Sequence, residues 1–218
     1  MSLKIDLKIF IFFVWFYFTK QIKIYATILV LCIIHELGHV LMGILMALKI
    51  EKIEIMPLGI SVSFKLNIDD LNKKIQKGSM LQLKKIAIAI AGPLTNLIIL
   101  LIVLNTKINL KIVSNEVLAY ANILIMLFNL LPIYPLDGGR IFKELIQIFE
   151  GSIKSKIYIR KISKAVVILL TMIGSIGILY LKNIAIFFII IYLWIIVRKE
   201  NKRYENIIYE LENIHRID

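Results

Sequence analysis

Charge is scarce in this 218-residue chain and cysteine is almost absent. Asp, Glu, Lys and Arg together supply 19% of the residues, while 59% are hydrophobic. A soluble domain carries about 25% charged residues. The lone cysteine, Cys32, cannot close an internal disulfide, which excludes a disulfide-stapled secreted domain. So much apolar surface cannot be hidden in one water-soluble core, because a chain of this length still exposes much of its area. That argues against a soluble enzyme, and the low polarity argues against a disordered tail. An integral membrane protein remains.

Acids are the scarcer charge. Fifteen Asp and Glu stand against 27 Lys and Arg, a net charge of +12. On a soluble chain this balance suggests nucleic acid. Here the basic residues sit between apolar runs rather than along one stripe. They read as loop charges that set orientation and touch anionic lipid, so the bilayer is the expected partner and nucleic acid is not.

Six apolar runs predict six spans: Ile9–Phe18, Ile24–Leu48, Ile86–Asn105, Val117–Tyr134, Ala165–Leu181 and Ile184–Val197. A bilayer core takes about 20 helical residues. The second and third runs meet that easily, and the first is the shortest. If the N-terminus is cytoplasmic, only Lys20, Lys23, Lys107, Lys111 and Lys182 of the 27 Lys and Arg fall outside. That asymmetry supports six spans with both termini in the cytoplasm. Lys49–Phe64, with Pro57 and Gly59 near its middle, alternates like a short β-hairpin that must be buried in protein or lie at the interface. Arg140–Lys164 reads as a cytoplasmic loop, part of it helical. The expected fold is an all-α polytopic membrane protein with a membrane-associated β-hairpin or re-entrant loop. Residues 1–197 form its membrane domain and residues 198–218 a charged cytoplasmic tail.

Within the spans acids nearly vanish. Glu36 lies inside one and Asp137 at the end of another. A central charge in a bilayer costs about 2.5–3.5 kcal/mol on insertion scales, so such a residue is a functional-site candidate. Two of the three histidines flank Glu36 in His35-Glu36-Leu37-Gly38-His39. On a helix, His35 and His39 lie one turn apart on one face and can hold one metal ion. Zinc suits nitrogen and oxygen ligands, and a catalytic zinc takes three protein ligands and a water. Glu36 is placed to take a proton from that water. The competing reading is a polar cluster that glues helices together.

A third ligand is needed. Cys32 is a possible donor, but it crowds the same helix face and reads better as a small buried hydrophobe. His215 lies in the tail. Asp137 is the better candidate, in the stretch Asn129-Leu-Leu-Pro-Ile-Tyr-Pro-Leu-Asp-Gly-Gly-Arg140. Pro132 and Pro135 break the helix there. Gly138 and Gly139 permit conformations that turn the carboxylate back. The unwound backbone could pair with an extended substrate, and the Asn129 amide could bind that substrate or steady the site. In the third span, Ala91-Gly92-Pro93-Leu94-Thr95-Asn96 places a kink and an amide in the membrane, for packing or for the site.

The motifs HELGH, AGPLTN and NLLPIYPLDGGR, in that order, resemble those of the site-two protease family of intramembrane zinc metalloproteases, in particular its stage IV sporulation protease branch. The resemblance implies zinc held by His35, His39 and Asp137, with Glu36 as general base. It implies that Asn129 and Pro135 lie in a substrate-interacting loop and that Asn96 contacts the site. It also implies a membrane-tethered substrate, a sporulation sigma-factor precursor, cleaved by regulated intramembrane proteolysis. Inhibitory membrane partner proteins are implied too, as is a bacterial location in the cell membrane, including the membrane that surrounds the forespore. That branch usually carries a C-terminal CBS domain, and none is expected within the 218 residues. A metal transporter using the same three ligands and a catalytically silent membrane scaffold are the alternatives.

Overall fold

The computed structural model describes residues 2–5, 17–18, 22–56, 59–65, 79–106, 113–181 and 185–214. The run Ile9–Phe18 lies outside them except for Tyr17 and Phe18, which are helical. Pro57, at the expected turn of the hairpin, lies outside as well, and so does His215. The chain forms two compact units, Met1–Asn129 and Leu130–Asp218.

The first unit contains β1 (Ser2–Ile5), α1 (Ile22–Leu45), β2 (Lys49–Met56), β3 (Gly59–Lys65), α2 (Met80–Asn105) and α3 (Asn115–Asn129). The three strands form one sheet in the order β1-β2-β3. β1 runs parallel to β2, with Leu3 opposite Ile53, and β2 runs antiparallel to β3, with Ile53 opposite Val62. Among the described residues α1 and α2 are the helices long and apolar enough to cross a membrane. They pack on each other, and α2 packs on α3. Leu31, Val103, Leu118, Ala121 and Ile125 form the apolar cluster where these helices meet, and Cys32 packs against it. The thiol thus fills space among hydrocarbons, as a small hydrophobe does.

Two helices of this unit depart from the apolar runs by five residues or more at one end. α2 begins at Met80 rather than Ile86, because Lys84 and Lys85 are good helix formers that an apolar count passes over. α3 stops at Asn129 instead of Tyr134. Residues 130–136 turn instead, since Pro132 and Pro135 cannot donate to a helix and push the residues before them into extended backbone.

The second unit is a helical hairpin. α4 (Asp137–Leu181) is broken only at Gly151, whose φ of 84° and ψ of 175° are non-helical, and α5 is Ala185–Ile214. Trp194 Nε1 donates to Thr171 Oγ1 at 3.0 Å, and Arg160 pairs with Glu205. The two helices therefore run antiparallel. Ser155, Ile159, Ser163 and Val167 on α4, and Leu193, Val197, Tyr204 and Ile208 on α5, are buried. These spacings keep each set on one helix face. α5 continues past Val197 through the charged segment without a break.

Candidate metal centre

His35 and His39 lie one turn apart on α1, as an i,i+4 pair must. They are 2% and 3% exposed, and Glu36 beside them is half-buried. The facing stripe of α2 carries Ile88, Gly92 and Asn96, again at four-residue steps. Each of these positions meets the histidines. His35 Nδ1 lies 3.1 Å from Asn96 Oδ1, and His39 Nδ1 lies 2.7 Å from the Ile88 carbonyl oxygen. A Cβ at Gly92 would collide with the His39 ring and sit 2.6 Å from His35 Nε2. Glycine is what lets α2 approach the imidazoles.

These contacts fix the tautomers. Both Nδ1 atoms face oxygen acceptors, so both carry the ring hydrogen and both Nε2 atoms present lone pairs. The two Nε2 atoms are 3.2 Å apart, with the rings edge to face at 87°. Two lone pairs that close repel unless a cation lies between them or near both. The donor set therefore fits a metal ion that takes imidazole nitrogen, as zinc does.

Asp137 is buried and opens α4, where the helix N-terminus favours a carboxylate. Arg140 Nη1 lies 3.9 Å from its Oδ1. A side chain on Gly138 would strike the Leu130 carbonyl, and one on Gly139 would strike the backbone at Ile133 and Tyr134. Both glycines thus allow the turn to fold back on the first turn of α4. His35 and His39 in the first unit and Asp137 in the second are each buried side chains of metal-ligating type.

The other predicted site residues fall as follows. Asn96 is 1% exposed and supports His35. Asn129 ends α3, half-buried, and its Nδ2 donates to the Ile125 carbonyl at 3.0 Å, within its own helix. Pro135 is half-buried in the turn and follows a cis peptide bond. Sequence reasoning missed the Ile88 carbonyl, a backbone group with no side-chain signature. It noticed Gly92 without separating packing from function.

Known proteins resemble this chain. Peptidase family M50 matches residues 23–112 and 107–173. A putative zinc metalloprotease of Synechocystis sp. is 28% identical over 79% of this chain and 44% of its own length. A zinc metalloprotease of Methanocaldococcus jannaschii is 27% identical over 76% of this chain and 47% of its own. Stage IV sporulation protein FB of Bacillus subtilis is 28% identical over 56% of this chain and 40% of its own. The chain thus spans less than half the length of these relatives. The site-2 protease of Methanocaldococcus jannaschii has the same fold, with a TM-score of 0.66, 21% identity, and coverage of 91% of this chain and 90% of that one. The family match takes in the paired histidines, the Gly92–Asn96 stretch and Asp137 alike, and the resemblance read from the three motifs is borne out: the chain belongs to peptidase family M50.

Proposed function

We propose that this chain is an intramembrane zinc metalloprotease that hydrolyses a peptide bond in a membrane-tethered protein. The observation that carries the reading is the pair of imidazole Nε2 atoms 3.2 Å apart, each ring with its Nδ1 turned to an oxygen. In this reading His35, His39 and Asp137 hold zinc. A bound zinc would polarise the scissile carbonyl and lower the pKa of water from 15.7 towards about 7. Glu36, next to His35 in the same helix, accepts the proton of the attacking water and returns it to the departing amine. Asn96 keeps the His35 ring in its working tautomer, and in this reading it also contacts the bound substrate. Asn129 precedes the turn before Asp137 and Pro135 lies within it, where a locally unwound substrate would lie. Such unwinding is required because an intact helix hides its carbonyls.

The membrane setting rests on α1 and α2. Leu41, Leu45, Leu101 and Leu104 on them are exposed, which suits lipid and not water. Six spans with both termini cytoplasmic follow from the lysine and arginine asymmetry, with the β2–β3 pair at the membrane interface and residues 198–218 as the cytoplasmic end. The Bacillus subtilis relative is a sporulation protein by name. That name supports a sporulation setting, and the motif resemblance adds to the proposal a sigma-factor precursor as substrate, inhibitory membrane proteins as regulators and the membrane around the forespore as the location.

The test is co-expression with membrane-tethered transcription-factor precursors, comparing wild type with Glu36→Gln. The variant should bind zinc and cleave nothing. A Glu36→Gln chain that cleaves at the wild-type rate removes Glu36 from the reaction. Zinc flux through proteoliposomes without cleavage would make the protein a transporter instead.

A further inference from the structure

The charged end of α5 has no role in the chemistry above, yet it is not a loose tail. Tyr204 is 5% exposed and Ile208 8%, and both continue the buried stripe of Leu193 and Val197 past the last apolar run. Glu205 of the same segment pairs with Arg160 of α4. This packing leads to the turn that carries Asp137. Tyr134, three residues before Asp137, is gripped at both its backbone and its ring. Its N–H donates to the buried Ser163 Oγ at 3.0 Å. Its ring centroid is 5.2 Å from that of Tyr204, and Lys143 Nζ lies 5.7 Å from the same ring.

The rest of the turn is closed on itself. Ile133 N donates to the Leu131 carbonyl at 2.7 Å, Leu136 N to the Ile133 carbonyl at 2.8 Å, and Arg140 N to the Leu136 carbonyl at 2.9 Å. Ile133 is wholly buried. The turn therefore behaves as one stiff piece, and its orientation is set where Tyr134 is held.

We propose that Tyr204 and Ser163 are positioning residues for Asp137, fixing through Tyr134 the turn from which that carboxylate reaches a metal. The inference rests on the reading of Asp137 as a ligand. Residues that orient a ligand typically change metal affinity by 10–100-fold when removed. The packed ring is the active feature of Tyr204, so phenylalanine should replace it.

The experiment measures zinc affinity of the full-length protein in detergent by competition with a chromophoric chelator, with thermal unfolding in parallel. Tyr204→Ala and Ser163→Ala should each weaken zinc binding about 10-fold, and Tyr204→Phe should restore it. Tyr204→Ala in an Asp137→Ala background should cause no further loss, because a residue that acts through Asp137 has nothing left to position. A loss that persists in that background marks a general packing effect and overturns the inference, as does wild-type affinity in both alanine variants. Weakening by Asp137→Ala without weakening by either alanine variant sinks the inference alone. An Asp137→Ala chain with undiminished affinity sinks the ligand reading, and the inference with it.

Discussion

His35 and Asn96 lie on two helices and 61 residues apart in sequence, yet His35 Nδ1 rests 3.1 Å from Asn96 Oδ1, in a site where both are almost wholly buried. This contact decides which nitrogen of His35 is available to a metal. A buried ring whose Nδ1 hydrogen lost its acceptor could turn or change tautomer, and its Nε2 lone pair would then be lost.

Asn96→Ala should therefore weaken zinc binding by about 10–100-fold while leaving the ligand residues in place. Asn96→Asp keeps an acceptor and should bind zinc better than Asn96→Ala. Equal zinc affinity in wild type and Asn96→Ala, read by chelator competition, would show that the amide does not orient His35.

Gly92 makes a sharper demand. Alanine there would place a carbon against His39 and 2.6 Å from His35 Nε2, so either α2 retreats or the rings move. Overpacking of this kind costs about 1–3 kcal/mol. The loss should appear as reduced zinc content and a lower thermal midpoint together. A fully zinc-loaded Gly92→Ala protein of wild-type stability would refute the close approach.

How far the sequence discloses this site depends on whether the signal is local. The His35–His39 pair is fixed by helical periodicity, and the halt before Asp137 by Pro132 and Pro135, so both were legible. Asn96 was visible as an amide in an apolar helix, but no spacing connects position 96 to position 35. Ile88 was invisible, since any residue offers a carbonyl there. The segment after Val197 reads as a charged tail that can form one amphipathic helix, because Lys, Arg and Glu dominate its composition. Only the folded hairpin shows that the face carrying Tyr204 and Ile208 is buried. Asn129 was visible as an amide ahead of the proline-broken stretch, but that one of its Nδ2 hydrogens goes to the Ile125 carbonyl one turn back was not, although it is a common habit of asparagine at a helix end.

Tyr204 also sets an expected alkaline limit. Burial first, and the neighbouring Tyr134 second, raise its phenol above the ordinary value near 10. Folding thus favours the protonated form. The stabilising contribution is complete below about pH 10, where the unfolded phenol begins to ionise. It is lost as the pH climbs from there through the folded value. Unfolding midpoints taken from pH 8 upwards should fall more steeply for wild type than for Tyr204→Phe. Parallel curves would remove Tyr204 as the source.

Gly151 divides α4 with φ 84° and ψ 175°, a region that only glycine enters without strain. A Cβ there would meet nothing within 4 Å, so a substitution is penalised by the backbone alone. Gly151→Ala should cost about 1–3 kcal/mol, or else straighten the break into continuous helix. The two outcomes separate by circular dichroism: strain lowers the midpoint at constant helicity, whereas straightening raises helicity. Straightening would also change how residues 137–150, with Asp137 at their head, are set relative to the segment carrying Ser163. Zinc affinity should then fall along with the Tyr134–Ser163 hydrogen bond. A Gly151→Ala protein with wild-type midpoint, helicity and zinc affinity would mean that the break is not a fixed feature of the fold.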